Sequence, residues 1–308
     1  MNSNPKIVFM GTPEFAVASL HALVESGFQV VAVITAPDKP SGRGLRLAES
    51  AVKQYAVKKN IHVLQPIKLK DPEFLELLKS FQADIQVVVA FRMLPESVWA
   101  MPPLGTINLH GSLLPQYRGA APINRAIMNG ETKTGATTFK LQQEIDTGNI
   151  YLLEEISIGP NETAGELHDR MKVIGAALVV ETIRGLLDGT LHEKRQQVAD
   201  QETLRLAPKI FITDCEIKWT DPVLKIHNQI RGLSPFPGAF TFLKEKNFKL
   251  LRSRPEKNNH AVKPGEMETD GRNWLRFSAS DGYIYAEEIQ LEGKKRMQIA
   301  EFLRGYRP

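Results

Sequence analysis

With 308 residues, 42% hydrophobic and 24% charged, the chain is too long for one typical core and too apolar for wholesale disorder, so two domains of about 150 residues each are expected. A single cysteine, Cys215, excludes an internal disulfide, and no Cys/His cluster has the spacing of a zinc site. The net charge of +4 is uneven: residues 209–308 hold 18 Lys+Arg against 13 Asp+Glu, leaving 21 against 22 elsewhere. A basic C-terminal third suggests a polyanionic partner such as nucleic acid, with a merely solvated basic surface as the alternative.

The start of the chain, "MNSNPKIVFMG", lacks the basic opening and apolar run of a signal peptide, and no run of about 18 apolar residues occurs. A cytoplasmic setting is the expectation. "KIVFMG", Lys6 to Gly11, then reads as a buried strand. The next stretch places Ala16, Leu20 and Leu23 at helical spacing, with Gly27 as a stop. "FQVVAVIT" is a second β-branched run, and the alternation continues through "SAVKQYAVKKN", "IHVL", "PEFLELLKSF", "IQVVVA" and "GTINLH". Strands alternating with helices predict an α/β fold with a mostly parallel sheet covered on both faces. Two further strand-like runs, "TGATTFKL" and "GNIYLLEEISI", precede a long helical pattern from about Ala164 to Leu187. Asp188 to Pro208 is polar and aperiodic, as a linker would be. Beyond it, one helix ("PVLKIHNQIRG") and short strand-like pieces separated by turns suggest a small β-barrel or sandwich.

"MGTPEF" supplies one Gly where a dinucleotide fingerprint needs three, and no P-loop pattern occurs. The chemistry points elsewhere, to "INLHGSLLPQYRGAAP". Side chains alternate along a strand, so Asn108 and His110 point to one side. A histidine relays protons near neutral pH, and an asparagine amide donates to a developing oxyanion. Acyl-type transfer needs both roles. Gly111 lets backbone approach a ligand. A lone histidine is more often satisfied inside a packed loop, but this one sits before Pro115, Arg118 and Gly119 in a rigid polar turn. "EIDTGN" offers Asp146 as an orienting acid. D-T-G also surrounds aspartic-protease carboxylates, yet that mechanism needs two copies and this chain has one.

"NLHGSLLPQYRGAAPI" followed by "DTGN", with "VFMGTPEFA" and "PDKPSGRG" upstream, resembles the formyl-tetrahydrofolate-dependent formyltransferase family over essentially the whole chain. The Asn-x-His and Asp-x-Gly parts are shared with glycinamide-ribonucleotide and amino-sugar formyltransferases, so "PDKPSGRG" is the more discriminating motif. The resemblance implies a Rossmann-like catalytic domain over 1–189, a linker over 190–208 and an OB-like tRNA-binding domain over 209–308. It implies that Asn108, His110 and Asp146 are catalytic and that Ser112, Leu113, Leu114 and Pro115 line the folate site. The implied reaction moves the formyl group of 10-formyltetrahydrofolate, without a metal, to the α-amine of methionine on initiator tRNA.

"APDKPSGRGLRL" is too broken for a helix and too basic for a core. The resemblance implies that this mobile arm meets the acceptor end of the tRNA, with Arg43 foremost and Lys39 and Arg46 beside it. Lys249, Arg252, Arg254 and Lys294 to Arg296 are expected on or near strands, where phosphate contacts add salt-dependent affinity. One departure from the family is "FRMLPESVW", where relatives carry a Tyr-Gly turn; Phe91, Arg92 and Met93 imply a differently built pterin-pocket wall. A monomer is expected. Two other readings stay open: the same chemistry on a small amine, and a non-catalytic RNA-binding module.

Overall fold

A computed structural model describes residues 4–41, 46–198, 204–259 and 261–305. The chain forms two compact units, each discontinuous in sequence: Met1–Gly119, Gly135–Ile156 and His168–Leu206 in the first, Ala120–Thr134, Ser157–Leu167 and Ala207–Pro308 in the second.

In chain order the first half runs β1 (Lys6–Gly11), α1 (Glu14–Glu25), β2 (Gln29–Ile34), β3 (Lys39–Ser41), β4 (Arg46–Ala48), α2 (Ala51–Lys58), β5 (His62–Leu64), α3 (Pro72–Ser80), β6 (Ile85–Val89), α4 (Glu96–Trp99), β7 (Thr106–His110), β8 (Arg118–Gly119), α5 (Pro122–Met128), β9 (Lys133–Lys140), β10 (Ile150–Ser157) and α6 (Ala164–Leu187). Seven strands form one sheet in the order β10-β9-β7-β6-β1-β2-β5. The pairs β1/β2, β1/β6, β2/β5 and β6/β7 are parallel, and β9 runs antiparallel to β7. The chain lays down β1, β2 and β5 in one direction and then returns to the other side of β1 with β6 and β7, which is the topology that opens a crevice beyond the carboxyl ends of the strands.

The strands are apolar on both faces because both are covered. On one face Val8, Met10 and Val88 pack with Phe74 and Leu78 of α3 and Val98 of α4. On the other, Leu109 lies so close to α6 that a Cβ on Gly175 would sit 2.7 Å from its Cδ2, so a larger residue there would have to push the leucine aside. Ala16, Leu20 and Leu23 of α1 are fully buried, as their spacing predicts. Helix starts follow their capping chemistry: Ser50 Oγ accepts the Lys53 N–H at 3.0 Å for α2, and Asp71 accepts the Glu73 N–H at 3.1 Å ahead of Pro72 for α3.

After β11 (Leu206–Ala207), the second unit adds α7 (Val223–Leu233), β12 (Ala239–Leu243), β13 (Lys246–Lys257), β14 (Met267–Thr269), β15 (Leu275–Ala279), β16 (Gly282–Leu291), β17 (Met297–Gln298) and α8 (Ile299–Gly305). Its sheet, ordered β12-β13-β16-β15-β14 with β17 also on β16, is antiparallel and curls into a half-barrel. Register shifts between Leu250 and Arg252 and between Arg252 and Ser253 mark where β13 bends, as extra residues in one strand do. Val223, Ile226, Ile230 and Leu233 of α7 fill the concave face with Phe248, Leu250, Phe277, Ile284 and Phe302. Pro222 cannot cap α7, and Asp281 does so from the β15–β16 turn, accepting the Val223 N–H at 2.7 Å. Arg231 of α7, 5% exposed, donates to the carbonyls of Gly159 and Glu162 at 3.3 and 3.2 Å, and Asn124 of α5 donates to Gly232 O at 2.7 Å. These bonds tie the 120–134 and 157–167 segments into the second unit.

Candidate active site

Asn108 continues the cross-strand row Met10, Val88 and Asn108, and His110 lies two residues on, so both share the sheet face covered lower down by α3 and α4. His110 is 6% exposed and Asn108 is half-buried. Among the described residues, none hydrogen-bonds the Asn108 side-chain amide.

The turn after β7 is closed by side-chain hydroxyls bonded to its backbone. Thr137, opposite His110 on β9, donates through Oγ1 to Ser112 O at 2.6 Å and accepts the Leu114 N–H at 3.2 Å. Ser112 Oγ donates to Gln116 O at 2.6 Å, and the Leu114–Pro115 peptide is cis. Of the four residues expected to line a folate wall, Ser112 and Leu114 are therefore buried within the turn, while Leu113 and Pro115 are partly exposed.

His110 Nε2 lies 2.8 Å from the carbonyl oxygen of Tyr117, a residue in the left-handed region at φ +61°. A carbonyl can only accept, so Nε2 carries the hydrogen and Nδ1 is left facing Asp146. Asp146 Oδ2 stands 3.7 Å from Nδ1, beyond hydrogen-bond length, and accepts the Gly119 N–H at 2.8 Å. The orienting acceptor of the histidine is thus a main-chain oxygen, with the carboxylate at ion-pair distance on the other side. Asp146 holds φ at +54°, and a Cβ on Gly148 would sit 1.7 Å from Lys140 O, so the third residue of D-T-G has to be glycine.

Gln196 completes the cluster. It is 8% exposed, accepts from Arg118 Nη2 at 2.6 Å and Nε at 3.2 Å, and donates to the carbonyls of Asp146 and Gly148 at 2.9 and 2.8 Å. Neither it nor the Tyr117 carbonyl was predicted: a main-chain acceptor carries no residue signature, and Gln196 lies in the aperiodic stretch expected to be a linker.

The basic arm is a short antiparallel hairpin in which Lys39 pairs with Ala48, Pro40 with Leu47 and Ser41 with Arg46. Lys39 is exposed; Arg43 lies outside the described residues. Asp38 anchors the hairpin base, pairing with Lys53 and accepting from Gln65 Nε2 at 2.7 Å, and the Lys53 ammonium followed by Gln65 holds its carboxyl below the usual range. Arg92 donates to the carbonyls of Pro66 and, at 2.9 Å, Ile67, with its guanidinium 5.7 Å from the centre of the Phe91 ring. The segment after β6 is thereby pinned to the one after β5.

In the C-terminal unit, several cations expected for phosphate are taken up within the chain. Arg252 pairs with Glu166 and lies 3.7 Å from Glu288; Arg296 pairs with Glu288; Lys249 donates to Pro237 O at 2.7 Å. Arg254 stacks 4.0 Å over the Tyr285 ring and lies 3.4 Å from Glu256, and Lys294 and Lys295 are exposed. Among the described residues no group of three or more His, Cys, Asp or Glu side chains is gathered for a metal, and no helix is long and apolar enough to cross a membrane.

Known proteins match this chain over nearly its whole length. The family profile described as "Formyl transferase" matches residues 5–183, and "Formyl transferase, C-terminal domain" matches residues 209–307. The chain is 48% identical over 307 residues to a methionyl-tRNA formyltransferase of Bacteroides fragilis, covering 98% of this chain and 95% of that one. It is 51% identical over 312 residues to a methionyl-tRNA formyltransferase of Parabacteroides distasonis, covering 98% and 96%. Among solved structures, a sugar 3N-formyl transferase, WlaRD, in the presence of dTDP and 5-N-formyl-THF, shares the fold at a TM-score of 0.67 with 21% identity, over 94% of this chain and 99% of that one. With both family profiles matched and near-full-length relatives at about half identity, the chain belongs to the formyl transferase family.

Proposed function

We propose that the protein transfers the formyl group of 10-formyltetrahydrofolate to the α-amine of methionine on initiator tRNA. The observation that carries the acceptor is identity of about half with methionyl-tRNA formyltransferases through both units. The donor class follows from the family, as its sugar-directed structural neighbour was solved with a formylated folate. In this reading the methionyl amine attacks the formyl carbon, a C–N bond forms, and the bond from that carbon to the folate nitrogen breaks. Asn108, with its amide not engaged by the described residues, donates to the oxyanion of the tetrahedral intermediate. His110 has only Nδ1 free of its backbone bond, so Nδ1 takes the amine proton and passes it to the leaving folate nitrogen, while Asp146 steadies the imidazolium between the two transfers. Leu113 and Pro115 are the folate-facing part of the turn, with Ser112 and Leu114 shaping it from within. Lys39, Arg43 and Arg46 of the basic arm meet the acceptor end of the tRNA. The protein acts in the cytoplasm as a monomer.

The test is formyl transfer from labelled 10-formyltetrahydrofolate to Met-tRNA, run beside amino-sugar and ribonucleotide amines. Label on Met-tRNA supports the reading. Label on a small amine but not on Met-tRNA overturns the acceptor. Arg43→Ala should raise the KM for tRNA while leaving that for the folate unchanged.

A further inference from the structure

Asp146 stands on a turn with few bonds of its own: Gln142 Nε2 donates to Thr147 Oγ1 at 2.6 Å, and Thr147 Oγ1 donates to Glu144 O at 3.1 Å. Gln142 to Ile145 are exposed, Ile145 at 57%, and Asp146 itself is in the left-handed region at φ +54°, a conformation a non-glycine residue keeps only when its surroundings over-determine it. Apolar burial does not fix this turn. Gln196, 50 residues further along, uses every hydrogen-bonding position of its amide there: both N–H groups go to Asp146 O and Gly148 O, and its oxygen receives two from Arg118.

We propose that Gln196 is a positioning residue for the formyl-transfer site, a buckle that holds the two carbonyls of the 146–148 turn so that Asp146 presents its carboxylate to the Gly119 amide and to His110 Nδ1. The inference rests on the reading that Asp146 serves His110. An amide is required by the chemistry of the contact, because two carbonyls need two donors while the Arg118 guanidinium needs an acceptor, and no other side chain of this length supplies both. The same bonds fix Arg118, so the turn after β7 and the turn after β9 are referenced to one side chain from a third segment.

Gln196→Glu is the discriminating change. It keeps the shape and the Arg118 partner but replaces both donors with a carboxylate against two carbonyl oxygens. In the full-length protein kcat should fall about tenfold to a hundredfold, the size of effect an ångström-scale misplacement produces, with both KM values within about twofold. The decisive readout is the cycle with Asp146→Asn. If Gln196 acts through Asp146, the Gln196→Glu penalty shrinks to within about twofold when Asp146 is already Asn, since residues acting as a unit are not additive. An equal penalty in both backgrounds overturns the inference and leaves the site reading intact. Full activity of Asp146→Asn alone removes that reading and the inference with it. Should Gln196→Glu lower the thermal midpoint by more than about 5 °C, Gln196→Met, which keeps the volume and drops all four bonds, takes its place in the same cycle.

Discussion

The site around β7 and the arginines on or near β13, β15 and β16 are held in opposite ways. In the first, the groups around β7 are held by main chain: His110 by the Tyr117 carbonyl, Asp146 by the Gly119 amide, Gln196 by the carbonyls of Asp146 and Gly148. In the second, charges hold each other: Arg252 with Glu166, Arg296 with Glu288, Arg276 with Glu268 at 2.6 Å. A backbone partner fixes a side chain in place without cancelling its charge, which leaves His110 Nδ1 and the Asp146 carboxylate available for a reaction. An ion pair fixes two side chains and neutralises both. Under the proposed function, the difference separates groups kept for chemistry from groups that fix shape.

The largest effect that would sharpen this contrast is His110→Ala, expected to lower kcat for formyl transfer by about 100-fold to 10,000-fold, the range of lost acid/base help; a loss under about threefold would sink the proton role. Asn108→Ala should cost about 100-fold to 1,000-fold in kcat, the price of one oxyanion donor, with KM values little changed. If instead KM alone rises, the amide serves binding. In the other unit, Glu288→Gln removes the partner of Arg296 and Arg252. Because both guanidiniums are over a third exposed, solvent screening limits the loss to about 1 kcal/mol in urea unfolding, with kcat unchanged. A drop in kcat comparable to that of Asn108→Ala would break the contrast outright.

The smallest effect is a pH dependence. Burial, and after it the charge of Arg231, holds the His227 imidazolium below its ordinary pKa, with the Pro160 backbone opposing. The unfolded chain therefore binds this proton near pH 6.5 while the folded chain does so only at lower pH. Stability from this group is full above about pH 6.5 and declines as the pH falls from there toward the folded value. His227→Gln should flatten that decline in urea unfolding between pH 7 and 5; an unchanged slope would place the acid sensitivity elsewhere.

Much of the fold was legible because it is written in local periodicity. The strand at Lys6–Gly11 and the helix at Ala164–Leu187 have the bounds that their patterns predict, and the shared face of Asn108 and His110 follows from strand alternation. Less local features were hidden. "PDKPSGRG" has two prolines and two glycines and reads as broken chain, yet its flanks pair as β3 and β4. Arg252 reads as a free cation until Glu166, 86 residues away, is brought against it. Gln196 has no period to betray it, since a single buried amide among polar neighbours looks like the rest of a connecting segment.

The interleaving of the two units has a consequence for synthesis. The Asn124 side chain finds its acceptor at Gly232, 108 residues later. At about 5 to 20 residues per second, α5 leaves the ribosome several seconds before α7 exists to receive it. β7 and, from Gly135 on, β9 belong to the first unit and can pair meanwhile, so α5 waits as a tethered insert in a nearly finished sheet. Assembly of the C-terminal unit is then the closing of a loop whose two ends are already set by β7 and β9, and the last part of the chain to be made completes a core begun in its first half.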